Sequence, residues 1–136
     1  MRLIRALAKL AKEIWLARSD GRNGDDVEDL EPRRTLSDGT QIYPAHREID
    51  PVSGQQRGYV VLAEEERAKG FVRPLRRTYT HLKCGADTTM GQTIAETYAR
   101  DPFFYSGTFC CACRNHYPVG DDGEFVWAGT DQKVGT

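Results

Sequence analysis

Three of the chain's four cysteines fall within four residues, at Cys110, Cys111 and Cys113, and the fourth, Cys84, closes a His81-Leu82-Lys83-Cys84 turn. The pairs His81/Cys84 and Cys110/Cys113 each leave two residues between their members. A turn of that length aims two donor atoms at one ion while backbone amides soften the charge on sulfur. Two such turns complete a tetrahedron, so the spacing predicts one structural zinc ion held by His81, Cys84, Cys110 and Cys113. A disulfide framework is a poorer reading, because neighbouring cysteines are badly placed to close long loops. An iron–sulfur cluster usually takes four cysteines, whereas three thiolates and an imidazole suit zinc. Ordinary buried thiols beside a surface histidine would not account for the clustering. Cys113-Arg114-Asn115-His116 repeats the spacing, so His116 competes with His81 for the fourth position. One ligand pair per turn favours His81, and Cys111 is read as a bystander.

A metal also answers a shortage in the composition. Of 136 residues 39% are hydrophobic against 29% charged, a low apolar content for a chain that must bury a core unaided. The length suits one domain with appendages. The net charge of -1 hides segregation: residues 1–18 sum to +4, residues 19–31 to -5 and residues 67–83 to +6. No run of about 18 apolar residues exists to span a membrane, and the amino terminus lacks the features of a secretory signal. With cysteines read as metal ligands, the expected setting is reducing and cytoplasmic.

The expected class is α+β: a small zinc-stabilised domain of short strands and one or two short helices, preceded by an amphipathic helix and a polar linker. Residues 1–18 lack Gly and Pro, and Leu3, Leu7, Leu10, Ile14 and Ala17 oppose Arg2, Arg5, Lys9 and Lys12, which predicts a basic amphipathic helix. Residues 19–58 are acidic and then irregular in pattern, and are read as linker and irregular chain. The zinc domain is expected over 59–136. Within it, 59–62 reads as a strand, 64–69 as a short helix stopped by Gly70, and 71–82 as an extended segment delivering His81. Thr89-Met90-Gly91-Gln92 has the form of a capping box for a helix that Asp101-Pro102 closes. A strand at 124–127 follows the Gly120-Asp121-Asp122-Gly123 turn.

The two facing pairs over residues 78–127 resemble zinc-ribbon and treble-clef domains, in which two knuckles meet across one ion. That resemblance implies a closed structural site and no particular activity. The stretch 58–136 is also similar to small uncharacterised proteins encoded by bacteriophages, which would place the chain in the cytoplasm of a host cell.

Other constellations carry less. His46-Arg47-Glu48 upstream of Cys110 and Cys113 has the outline of a zinc-deaminase signature. However, Pro51 and Gly54 preclude the helix it requires, no proline precedes Cys110, and His81 and Cys84 would be left without a role. A thiol–disulfide pair at Cys110 and Cys113 lacks the helix start of a thioredoxin-like setting. The basic segment 73–83 offers Arg73, Arg76, Arg77 and Lys83 to phosphates, against the simpler reading of a charged, proline-protected strand edge. The aromatic residues from Phe103 to Trp127 read as packing around the metal. The expected function is therefore a non-enzymatic, zinc-stabilised interaction or assembly module. Its expected contact is a protein partner or self-association through the amino-terminal helix, ahead of a membrane surface. The alternative is a nucleic-acid-binding zinc protein using Arg73, Arg76, Arg77 and Lys83.

Overall fold

Among the described residues, Gly, Pro, Asp and Asn interrupt the chain so often that no element runs beyond nine residues. The computed structural model describes residues 32–136; the helix expected over 1–18 and the linker as far as residue 31 lie outside them. Among the described residues the order is β1 (Arg34–Leu36), a 3-10 turn (Pro44–Arg47), β2 (Val60–Leu62), α1 (Glu64–Arg67), β3 (Thr78–His81), β4 (Asp87–Thr89), α2 (Gln92–Arg100), β5 (Gly107–Cys110), β6 (Asn115–Pro118) and β7 (Phe125–Trp127). The fold is α+β.

The strands form three antiparallel sheets: β1 with β2, the three-stranded order β4-β3-β7, and β5 with β6. In β3 the period-2 alternation buries Tyr79 and His81. Pairing sets Tyr79 opposite Trp127 and His81 opposite Phe125, so four rings share one face of the central sheet. Tyr79 and Phe125 meet edge to face at 5.3 Å between ring centres. Helix α2 covers this face with Ala95 and Tyr98, and Met90, Cys110 and Val134 complete the core. Burying a set of this kind is the main favourable term in folding, roughly 1.5–3 kcal/mol for each large side chain.

The folded unit begins at Arg34, well ahead of residue 59. Strand β1 pairs with β2 through Arg34 with Leu62, Thr35 with Val61 and Leu36 with Val60. Between them, short-range hydrogen bonds order the polar chain: Asp38 accepts from both the amide and hydroxyl of Thr40, and Asp50 accepts from the Val52 amide. Thr97 on α2 then accepts the Leu62 amide at 3.2 Å, tying β2 to the helix.

The capping box does not form. Thr89 belongs to β4, where its hydroxyl bonds that of Thr78 at 2.9 Å, and α2 starts at Gln92 behind an extended Gly91. Strand pairing has claimed the residue that local propensity assigned to the helix. Gln92 instead donates to Glu96 one turn on.

Candidate metal centre

Each ligand pair sits at the turn of a β-hairpin. His81 ends β3 and Cys84 lies just before β4; Cys110 ends β5 and Cys113 lies just before β6. The two turns are built alike. The Gly85 amide donates to the His81 carbonyl at 2.7 Å, and the Arg114 amide donates to the Cys110 carbonyl at 2.8 Å. The residue after each second ligand turns the chain back through the left-handed region, Gly85 with φ 77° and Arg114 with φ 57°. Glycine tolerates that conformation, whereas arginine is strained by it. Amides also point at sulfur: Ala86 donates to Cys84 Sγ and Cys113 donates to Cys110 Sγ, both at 3.5 Å. The Ala86 amide is the main reason the Cys84 thiol lies below its ordinary pKa.

The donor atoms of His81, Cys84, Cys110 and Cys113 all lie within 4.8 Å of one another. Cys84 Sγ is 3.6 Å from Cys110 Sγ, and His81 Nδ1 is 3.2 Å from Cys84 Sγ and 3.6 Å from Cys113 Sγ. The edges of a tetrahedron around an ion with bonds of about 2.0–2.3 Å are about 3.3–3.8 Å long. The group therefore fits one metal ion. Cys110 is buried, whereas Cys84 and Cys113 lie towards solvent.

His81 is the best-prepared of the four. It is 2% exposed and stacked between Tyr117 and Phe125, with ring centres at 4.6 and 4.8 Å. Its Nε2 lies 2.8 Å from Glu124 Oε1, and Lys83 Nζ lies 3.5 Å from the other oxygen of that carboxylate. The bond to His81 is the leading cause that lowers the Glu124 pKa. A carboxylate only accepts, so the proton is assigned to Nε2 and the lone pair of Nδ1 faces the three sulfurs. This is the outer partner that metal-binding histidines ordinarily have. Sequence spacing did not reveal Glu124, which lies 43 residues from His81.

The competing residues lie elsewhere. His116 Nε2 meets the Tyr59 hydroxyl at 2.8 Å, and burial lowers its pKa. Cys111 donates its amide to Thr88 Oγ1 at 3.0 Å and its thiol to the Asp87 carbonyl at 3.2 Å. His46 Nδ1 meets the Tyr43 carbonyl and Glu48 pairs with Arg57. None of these four belongs to the metal-capable group.

The three arginines of segment 73–83 are engaged with the chain. The Arg76 guanidinium covers the Trp127 ring at 4.6 Å and donates to Gln132, Arg73 donates to the Thr136 carbonyl, and Arg77 donates to the Met90 carbonyl. Lys83 lies 3.5 Å from Glu124 but is 73% exposed. No helix among the described residues is long and apolar enough to cross a membrane.

Comparison with protein-family models, curated proteins and solved structures finds no match for this chain.

Proposed function

We infer that the chain is a non-enzymatic interaction module whose fold is completed by one zinc ion. The observation that carries this reading is the closed set of four protein donors, one pair from each of two separate hairpins. Zinc supplies the tetrahedral preference that three thiolates and an imidazole satisfy, and four protein ligands leave it no coordination position for a reacting water. The two-knuckle arrangement is of the zinc-ribbon and treble-clef kind. Its role is to fix two hairpins against each other and so present the surfaces beside them. The engaged states of Arg73, Arg76 and Arg77 support a structural use of those side chains over phosphate binding.

Elemental analysis of the purified chain is expected to give one zinc per molecule, and chelation to unfold it cooperatively. Metal-free protein with an unchanged melting temperature would overturn the zinc reading. Deleting residues 1–18, which contain none of the four donors, is expected to abolish self-association while zinc content and melting temperature hold. Self-association that survives the deletion would remove the amino-terminal segment from the reading.

A further inference from the structure

Strands β4 and β5 belong to different sheets and come together near the metal turns, where Cys111 bonds Thr88 and Asp87. The hydrogen-bond alternation shows which main-chain groups of each turn outward. The Met90 amide donates to the Arg77 carbonyl and the His81 amide to the Ala86 carbonyl, so with Tyr79 opposite Thr88 the main-chain groups of Thr88 turn towards β3. Those of Asp87 and Thr89 then turn outward. On the other side, the Val119 amide donates to the Ser106 carbonyl and Thr108 pairs with Tyr117, so Gly107 and Phe109 turn away from β6. Near the metal turns these outward groups are already used: the Asp87 carbonyl accepts the Cys111 thiol, and the Phe109 carbonyl accepts the Tyr79 hydroxyl.

Further from the metal the two edges part around a cavity of about 500 Å³ whose lining includes Thr89, Gly107, Tyr79, Ile94, Tyr98 and Tyr105. There the outward main-chain groups of Thr89 and Gly107 have no ladder partner among the described residues. No Lys, Arg or His lines the cavity, and its one carboxylate, Asp38, is already bonded to Thr40. A phosphate or other anionic ligand would find no positive charge to hold it. The chemistry on offer is unpaired main-chain donors and acceptors along two edges, with aromatic and aliphatic side chains between them. That is what an extended polypeptide requires.

We propose that the cleft between β4 and β5 binds a short, extended, uncharged segment of a partner protein by main-chain hydrogen bonding, with an apolar side chain of that segment received by Tyr79, Ile94 and Tyr98. The cavity volume lies within the range of about 300–1,000 Å³ usual for ligand pockets. This proposal rests on the interaction-module reading and names the surface it uses.

The test uses the full-length, metal-loaded chain and a displayed library of random, uncharged heptapeptides. Selected peptides are resynthesised with and without methyl groups on alternate backbone amides and titrated by fluorescence anisotropy. Thr89→Pro removes an amide that points out of the sheet and leaves the β3–β4 ladder intact. It is expected to weaken binding by about tenfold, the scale of one lost hydrogen bond, with zinc content unchanged and the melting temperature lowered only slightly by loss of the exposed Thr78–Thr89 hydroxyl bond. Backbone methylation is expected to weaken binding to the unmutated chain similarly, which keeps the test decisive if Thr89→Pro fails to fold. Equal binding of methylated and unmethylated peptides would overturn the proposal, as would failure to select any peptide. Binding of a synthetic peptide of residues 1–31 at the same cleft would assign it to this chain's own segment and overturn the partner reading. Zinc content, measured separately, shows whether a failure lies with the cleft or with the metal reading.

Discussion

Replacing Glu124 tests whether His81 is prepared by its surroundings to bind metal or merely lies near three cysteines. The imidazole is 2% exposed, and its Nε2 meets the Glu124 carboxylate at 2.8 Å. Glu124→Ala removes that acceptor without touching a ligand. The Nε2 proton is then buried without a partner, at a cost of about 1–3 kcal/mol unless water replaces the carboxylate. Alternatively the imidazole changes tautomer and turns a protonated Nδ1 towards the sulfurs, where it no longer offers a lone pair. Either route weakens the metal, and loss of such outer partners typically costs about 10–100-fold in affinity. Glu124→Gln keeps an acceptor oxygen and is expected to fall between wild type and alanine. Affinity would be measured by competition with a chromophoric chelator. The cobalt-substituted protein would report whether an imidazole is still coordinated, through its visible absorption bands. A Glu124→Ala affinity within about twofold of wild type, with unaltered cobalt spectra, would refute the reasoning, because it would show that His81 needs no outer partner.

Three further outcomes are expected. Elemental analysis of His81→Ala and His116→Ala should show zinc lost from the first and kept by the second, since His116 is committed to Tyr59; the reverse result would move the fourth ligand into the second turn. In thermal melts, Gly85→Ala should destabilise by about 1 kcal/mol through its left-handed backbone, whereas Arg114→Gly should be neutral or slightly stabilising as strain relief offsets added chain entropy. A large loss in Arg114→Gly would show that the side chain matters more than the backbone. Glu96, whose pKa is lowered by its bond from Gln92 and then by Arg67, should contribute stability that is complete above its unfolded value near 4.3 and is lost as pH falls through the lower folded value. The stability difference between wild type and Glu96→Gln should therefore shrink below about pH 4, and a difference that is constant with pH would exclude this role.

The donor group was legible in the sequence because each half of it is a local event. Two residues between ligands fit one turn, and a turn needs no knowledge of the rest of the fold. The short strands 60–62 and 125–127 and the helix that ends before Asp101 were legible for the same reason, as apolar runs with clear stops. What local pattern could not supply was anything that depends on pairing. Thr89 suits a helix cap by type, and only the register of β4 on β3 shows it to be strand. The segment 34–58 reads as irregular because Leu36 is its one buried hydrophobic residue, too little to give a period. Its place in the fold comes from pairing with β2 and from side-chain bonds between neighbours. Glu124 is the costliest omission. A lone carboxylate after a Gly-Asp-Asp-Gly turn carries no sign of its role until β7 is laid beside β3.

The way the sheets meet explains why a metal would matter so much here. The β3–β4 and β5–β6 hairpins have strands of three or four residues, and isolated hairpins are marginal in water. Strand β3 gains a third strand in β7 and the cover of α2, but among the described residues β5–β6 joins no other ladder. Its attachments near the metal turns are the Tyr79 hydroxyl on the Phe109 carbonyl, the two bonds of Cys111 to Thr88 and Asp87, and the four donors themselves. Elsewhere the hairpin is held by the His116–Tyr59 and Thr108–Tyr79 bonds, by the Glu124 amide on the Pro118 carbonyl and by packing of Cys110 and Tyr117 on the core, and net hydrogen bonds contribute only on the order of 1 kcal/mol each. Structural zinc contributes an apparent 10–16 kcal/mol or so in small domains, as much as the whole folding free energy of about 5–15 kcal/mol usual for a chain of this size. With a metal bound at this group the two hairpins would be fixed at one end, and the proposed cleft would open from that corner. Without it, β5–β6 would keep its core packing but lose its cross-link to the β3–β4 turn, and the main-chain edges that define the cleft would be held less firmly.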